Sequence, residues 1–397
     1  SHKKQQSDLY AAAMLETPVT EEKSSFSAID EGIPSVSAPV AALTETRDQA
    51  ASFFLNTDAI NLAISMDGGD ITGASLPKFP VRLDTPDQPF RLLESNALRT
   101  YVAQTGLIGP DGIDASGDRA RYVSQGIDVG ADGSHTLTLA WIGNDPLGLQ
   151  VFKQITAYDN QYVVDVTFDI RNNSGQSVNV TSFAQLKRDN SEAPDANVGF
   201  GVSPYLGAAL TQPEERYTKL AFSDLQDEPF SKNLPGGWVA ILQHYFVSAW
   251  IPSQTESHDF FASQLSNGDN VIGYKNAGVS IDAGDQHTIS QRLYVGPKDQ
   301  VVLSDLAENL DLVIDYGWLW WLAQPLFWLL TLIQSFVVNW GLAIIILTIF
   351  VKLAFFRLSA ASYKSMAKMR TAQPKIQSIR DQYAEDKAKQ QQAMMEL

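Results

Sequence analysis

Between Tyr316 and Val351 the chain runs for 36 residues without a charged side chain. As one α-helix that run would measure about 54 Å, against a bilayer hydrocarbon core of about 30 Å. It must therefore break, and Asn339-Trp340-Gly341 is the natural place, with Pro325 a second irregularity before it. The first part holds Trp318, Trp320, Trp321 and Trp328, a density suited to headgroup depth. It reads as an interfacial helix over 317–338 with Gln324, Thr331 and Gln334 toward the polar side; a first span of a helical hairpin is the alternative. The second part, opened by Trp340, reads as a transmembrane helix over 339–359.

Charge gives this span a direction. From Lys352 onward there are nine Lys/Arg against four acids, a net +5 that leaves −21 for the rest of a chain whose total is −16. The positive-inside rule then puts the end after residue 358 in the cytoplasm and the acidic body outside it. An acidic body also argues against nucleic acid as a partner.

Lys352 itself lies twelve residues beyond Trp340, about 18 Å along the axis and just past mid-membrane. A cation at that depth costs about 2.5–3.5 kcal/mol on insertion scales. Two readings compete. The lysine snorkels toward the cytoplasm near Arg357, or it faces a hydrated cavity built with other helices. On a helical wheel Thr348 and Ser359 fall on its side while Phe350, Leu353 and Phe356 take the others, a polar stripe that favours the second reading.

Upstream the pattern is that of strands. In YVVDVTFDIRN, Val164, Val166, Phe168 and Ile170 alternate with Asp165, Thr167, Asp169 and Arg171, one face buried and one wet. Turn signals stand at Asn172–Gln176, Ser266–Asn270 and Asp282–Gln286. Residues 53–297 are therefore expected to form a mainly β antiparallel sandwich or barrel, with a packing helix over 298–316. Residues 1–52, mixing Ser, Thr, Pro, Ala and Glu without a period, read as a flexible linker. Residues 360–397 read as a cytoplasmic helical region in which Pro374 opens a new helix still running at the last residue. The opening SHKKQQSDLY has no apolar stretch of a signal peptide, so any export signal lies outside it or the body is not exported.

Chemistry is sparse. There is no cysteine, hence no disulfide frame or thiolate metal site, and the five histidines show no metal spacing. No nucleophile elbow, HExxH or Walker loop is present, so neither an enzyme nor a cofactor is expected. Trp238, Trp250, His244, His258 and His287 are the residues a ligand site in the β-domain would use, and a single-span membrane-anchored binding domain for a carbohydrate-like ligand is the rival reading.

Several segments carry a resemblance: YGWLWWLAQPLFWLL at Tyr316–Leu330, NWGLAIIILTIFVK at Asn339–Lys352, SYKSMAKMRTAQPKIQSIR at Ser362–Arg380, the tail QQQAMMEL, and GGWVAILQHYFVSAWIP and LYVGPK in the β-region. From about Phe53 to Leu397 the chain resembles the YidC-type membrane protein insertases of Gram-negative bacteria. The resemblance implies a periplasmic β-supersandwich, an interfacial helix, the second transmembrane helix and part of a cytoplasmic hairpin. The first transmembrane helix and the four later ones would lie outside this stretch. It further implies an inner-membrane protein that inserts and helps fold membrane proteins, alone or with the Sec translocon. Its partners would be newly made membrane proteins, Sec components and the bilayer, met through a cation in a hydrophilic groove. Lys352, flanked by Thr348 and Ser359, matches that cation, where the family has arginine. The family also tends to carry Gly and Pro where this chain has Leu353 and Arg357, which leaves the helix's bend unspecified by the sequence.

Overall fold

The alternation at 163–172 becomes a strand whose apolar residues are buried, with Asp165, Thr167 and Asp169 partly exposed and Arg171 exposed. The structure is a computed structural model that describes residues 52–82, 84–114, 118–143, 148–192 and 205–382, with 387, 391 and 395 beyond them. The expected linker at 1–52 lies almost wholly outside the described residues. Two compact units divide the chain, Ser1–Ile314 and Asp315–Leu397.

The first unit is a large antiparallel β-sandwich. Its first sheet runs, in spatial order, β1 (Ser52–Asn56), β2 (Asn61–Ser65), β3 (Ile71–Pro80), β4 (Pro89–Asn96), β5 (Arg99–Ile108), β10 (Val178–Arg188), β17 (Asn270–Lys275), β16 (Ser257–Gln264) and β13 (Phe230–Pro235), with β18 (Val279–Ile281) also pairing with β10. The second runs β12 (Thr218–Leu220), β11 (Gly207–Leu210), β14 (Val239–Leu242), β15 (Phe246–Ile251), β19 (Gln286–Pro297), β9 (Val163–Asn172), β8 (Leu149–Tyr158), β7 (Ser134–Trp141) and β6 (Tyr122–Val129).

Of the three turn signals only Ser266–Asn270 closes a hairpin, between β16 and β17. The other two carry the chain between sheets, from β9 to β10 and from β18 to β19. Asn172 fastens both crossings: its buried amide donates to Gln176 O at 2.9 Å, Ile281 O at 2.8 Å and Asp282 O at 3.1 Å. A single side chain thus satisfies backbone carbonyls that have left their ladders.

Period two also explains the layer on the second sheet. Phe246 and Trp250 of β15 enter the core between the sheets, whereas Val247, Ala249 and Ile251 join a second cluster with Leu303, Ala307, Leu310 and Val313. The expected packing helix over 298–316 is thus two short pieces, α1 (Gln300–Leu306) and a 3-10 turn (Leu310–Val313), laid on the outer face of that sheet. Trp238 Nε1 donates to Glu308 O at 3.1 Å and ties the connection down. Asp299 caps α1, accepting from Val301 N at 3.0 Å and Val302 N at 3.2 Å. Asp299→Ala is expected to cost about 1 kcal/mol in urea unfolding, because two amides lose their acceptor.

The second unit is helical: a 3-10 turn (Gly317–Leu319), then α2 (Trp320–Val337), α3 (Trp340–Ala354) and α4 (Phe356–Gln382). The break between α2 and α3 is made by Val338, left-handed at φ 54°, followed by Asn339, whose side chain accepts from Leu342 N at 3.0 Å. Ala343 of α3 is the one fully buried side chain among the described residues of this unit. Pro374 does not open a new helix as expected, since α4 runs through it. Proline's fixed φ is itself helical, and the flanking Ala, Lys, Gln and Arg are strong helix formers, so the helix continues with one hydrogen bond fewer. The break falls instead at Phe355, where α3 and the first part of α4 are bent by 61°.

Candidate functional site

Asn339 starts α3 and the run 342–351, apolar but for Thr348, sustains it, so Lys352 arrives in its last turn. Thr348 and Lys352 are four residues apart on this helix and both exposed. The Thr348 hydroxyl donates to Ile344 O at 2.7 Å, which leaves its oxygen lone pairs as the group presented beside the ammonium. Ser359 lies on the other arm of the 61° bend, in α4, its N–H bonded to Phe355 O at 2.9 Å. The wheel that joins all three assumes a straight helix. In the bent one, Thr348 and Lys352 form the pair and Ser359 belongs to the next segment.

At 15 residues α3 is about 22 Å long, short of a 30 Å core. Among the described residues, by length and composition, α2 alone is long and apolar enough to cross a membrane, while α3 and the start of α4 pass together as a bent pair. Trp320, Trp321, Trp328 and Trp340 are exposed on these helices. The Trp318 side chain lies outside the described ones.

The aromatic and histidine residues of the β-domain do not converge on a ligand site. Trp250 is core between the sheets, and Trp238 is core beneath the α1 layer. His258 is buried in the first sheet, its ring nitrogens 2.8 Å from Asn276 Oδ1 and Ser253 O. His244 stacks on Tyr245 at a turn, and His287 sits in β19 opposite Ile170. Among the described residues no group of three or more His, Asp or Glu is placed to hold a metal.

A buried charged cluster escapes the sequence reading. Arg119 pairs with Asp70 and, at 2.8 Å, with Asp114, and it donates to Thr105 O at 2.9 Å. Asp114 also accepts from Leu107 N and Ala120 N, and Asp70 from Gln104 Nε2 at 2.9 Å. Burial opposes the charge on Arg119, but Asp114 and Asp70 together hold its pKa above the usual value. Lys153 reaches this cluster from β8, wholly buried. The one signal for it is its place in LQVFKQITAY, where Leu149, Val151, Ile155 and Ala157 are the other inward positions.

Comparison with known proteins places both units. A family model described as the YidC periplasmic domain matches residues 53–329, and one described as the 60Kd inner membrane protein matches residues 332–397. The chain belongs to the YidC family. Among YidC relatives, the membrane protein insertase YidC of Marinomonas sp. (strain MWYL1) is 46% identical over 346 residues, covering 86% of this chain and 62% of that protein. That of Azotobacter vinelandii is 44% identical over 345 residues, with the same coverage. The chain thus spans about three-fifths of the length of the curated YidC relatives it matches. A solved galactose mutarotase related enzyme from Lactobacillus acidophilus aligns at TM-score 0.42 and 10% identity, over 62% of this chain and 97% of that one, a likeness too low to carry a function.

Proposed function

We propose that this chain is the periplasmic domain and an adjoining membrane portion of an insertase that inserts newly made proteins into the bacterial inner membrane and helps them fold. It acts alone or with the Sec translocon and makes no covalent change to its substrate. Membership of the YidC family carries this reading, supported by one exposed cation near the end of an otherwise uncharged membrane helix. The β-domain lies in the periplasm. The bent pair α3 and α4 crosses toward the cytoplasm, where the basic residues after 358 remain, and α2 lies along the surface with its tryptophans at headgroup level.

In this arrangement Lys352 is the groove cation. Its ammonium attracts carboxylates and backbone carbonyls of a passing polar segment, with Thr348 as a nearby acceptor and Ser359 further along the path. Lysine keeps the charge of arginine but loses the planar fork, so it holds carboxylates with less directional control. Placing polar substrate parts beside a fixed cation lowers the cost of moving them through hydrocarbon, which is several kcal/mol per unsatisfied group.

The test uses the full-length protein and a single-span substrate scored by protease protection. Lys352→Ala is expected to slow insertion on the order of ten-fold, the worth of one charged hydrogen bond, Lys352→Glu more, and Lys352→Arg little. Equal insertion by the Ala, Glu and wild-type forms would remove Lys352 from the mechanism. Deleting the β-domain is expected to leave much of the activity, whereas a tethered binding protein would lose all of it.

A further inference from the structure

Beyond the bend at Phe355, α4 carries its charge in a pattern for which the insertion step proposed above has no use. From Phe356 to Arg380 there are six Lys/Arg and no Asp or Glu. A helix bathed in water ordinarily mixes the two signs, so that neighbours three or four residues apart offset each other. Here nothing offsets the cations. Four of the six, Arg357, Lys364, Lys368 and Lys375, follow one another at intervals of 7, 4 and 7 residues. At about 100° per residue those intervals return to one side of the helix, within an arc of about 40°. Because α4 starts after the bend, the arc is not interrupted by it, and three of the four positions precede Pro374.

The adjoining side is apolar. Leu358, Met369 and Ile376 stand within about 20° of one another and about 100° round from the cations. Leu358 is 69% and Met369 65% exposed, and Arg357 and Lys364 are exposed as well. An anionic polymer such as RNA would match the cations and leave the apolar stripe in water. A lipid surface matches both stripes, acyl chains under the leucine, methionine and isoleucine and phosphates around cations whose stems lie along the boundary.

The bend sets the angle of approach. With α3 upright in a bilayer, the first part of α4 leaves it at 61°. Each residue then advances about 0.7 Å along the membrane normal, half the rise of an upright helix. At about 22 Å, α3 leaves about 8 Å of a hydrocarbon core uncrossed, with a headgroup layer of about 5–8 Å beyond it. The 20 residues from Phe356 to Lys375 descend about 15 Å at that angle, the depth of both layers together. The stripe therefore ends where the headgroups end.

We propose that α4 docks along the leaflet at the end of α3, with Arg357, Lys364, Lys368 and Lys375 bound to anionic phospholipid headgroups and Leu358, Met369 and Ile376 set into the acyl boundary. The docking rests on the reading that α3 crosses the bilayer. It fixes the direction in which the chain leaves the span.

This chain has no cysteine, so it takes one nitroxide at a time when reconstituted whole in nanodiscs of phosphatidylcholine with or without phosphatidylglycerol. Met369→Cys and Ala367→Cys place the label at positions about 160° apart on α4. With phosphatidylglycerol, the label at Met369 is expected to be shielded from a water-soluble nickel chelate and the label at Ala367 to meet it; in phosphatidylcholine alone both should meet it. Replacing three lysines together, Lys364→Gln, Lys368→Gln and Lys375→Gln, is expected to lower the ratio of docked to free helix on the order of 100-fold, and high salt should act in the same direction. Equal access at Met369 and Ala367 in the anionic discs, docking unchanged in the triple variant, or release of the Met369 label by added RNA overturns the proposal. A label at Ile345→Cys in α3 separates the two readings. Nickel access there overturns the crossing of α3 and the docking with it, whereas a shielded Ile345 label beside an open Met369 label overturns the docking alone.

Discussion

Arg119→Ala is expected to destabilise the β-domain by about 3–5 kcal/mol, enough to leave a large part of it unfolded at moderate temperature. The guanidinium holds two carboxylates whose side chains are only 7% (Asp70) and 1% (Asp114) exposed. Removing it leaves Asp70 with Gln104 alone and Asp114 with two backbone amides, and it takes away a cation lying 5.6 Å from the centre of the Phe183 ring. Two buried charges without a counter-ion are a far larger penalty than one missing hydrogen bond. Urea unfolding followed by circular dichroism measures the loss. The joint replacement Asp70→Asn, Asp114→Asn and Arg119→Met should recover part of it, since it removes the stranded charge as well as the pair. A single Arg119→Ala within 1 kcal/mol of wild type would mean that the carboxylates find water, and that this corner is not the closed cluster described.

At the joint between α2 and α3 two substitutions should move in opposite directions. Val338 sits at φ 54° and ψ 17°, a conformation that costs a β-branched residue about 1–2 kcal/mol, and its N–H bonds Gln334 O at 2.7 Å. Val338→Gly keeps that hydrogen bond and relieves the clash, so it should raise the thermal stability of the helical unit by about 1 kcal/mol. Val338→Pro requires φ near −65° and deletes the N–H, so the joint cannot keep its form and the loss should reach about 3 kcal/mol or more. In detergent the proline variant should also change the distance between labels on α2 and α3, which the glycine variant should preserve. If proline were tolerated with no change in that distance, the left-handed joint would not be what separates the helices.

Legibility in the sequence followed the range of the interaction. Alternation over ten residues was enough to find β9 and, with the turn signals, to mark the β-domain as an antiparallel sandwich or barrel, because burial on one face is a local period. Turn signals located the ends of strands but not their destinations. Asn172–Gln176 and Asp282–Gln286 cross between sheets, and only Asn172's contacts with carbonyls 109 and 110 residues away reveal it. The bend at Phe355 carries neither proline nor glycine, so no residue type announced it, and Pro374 announced a break that α4 does not make. Lys352 was visible as a charge in an uncharged run; its relation to Ser359 was not, because the wheel presumes the straight helix that the bend interrupts. The Arg119 cluster was the least legible part. Its members stand 49 and 5 residues from Arg119, on a turn and a connection where no period constrains them. Lys153 alone left a trace, a cation at an inward position of β8.

The placement of β19 has a consequence for the order of events during synthesis. Among the described strands it lies between β15 and β9 and joins the four strands on one side of the second sheet to the four on the other. It is also the last strand to be made. Until residues 286–297 emerge, the sheet exists as two separate halves with unpaired inner edges, and the sandwich has no finished face to bury. Trp320 is only the 23rd residue after Pro297, about 1–5 s of chain elongation. Closure of the β-domain and arrival of α2 are therefore nearly simultaneous, so the globule is completed as the apolar stretch that follows it is being made.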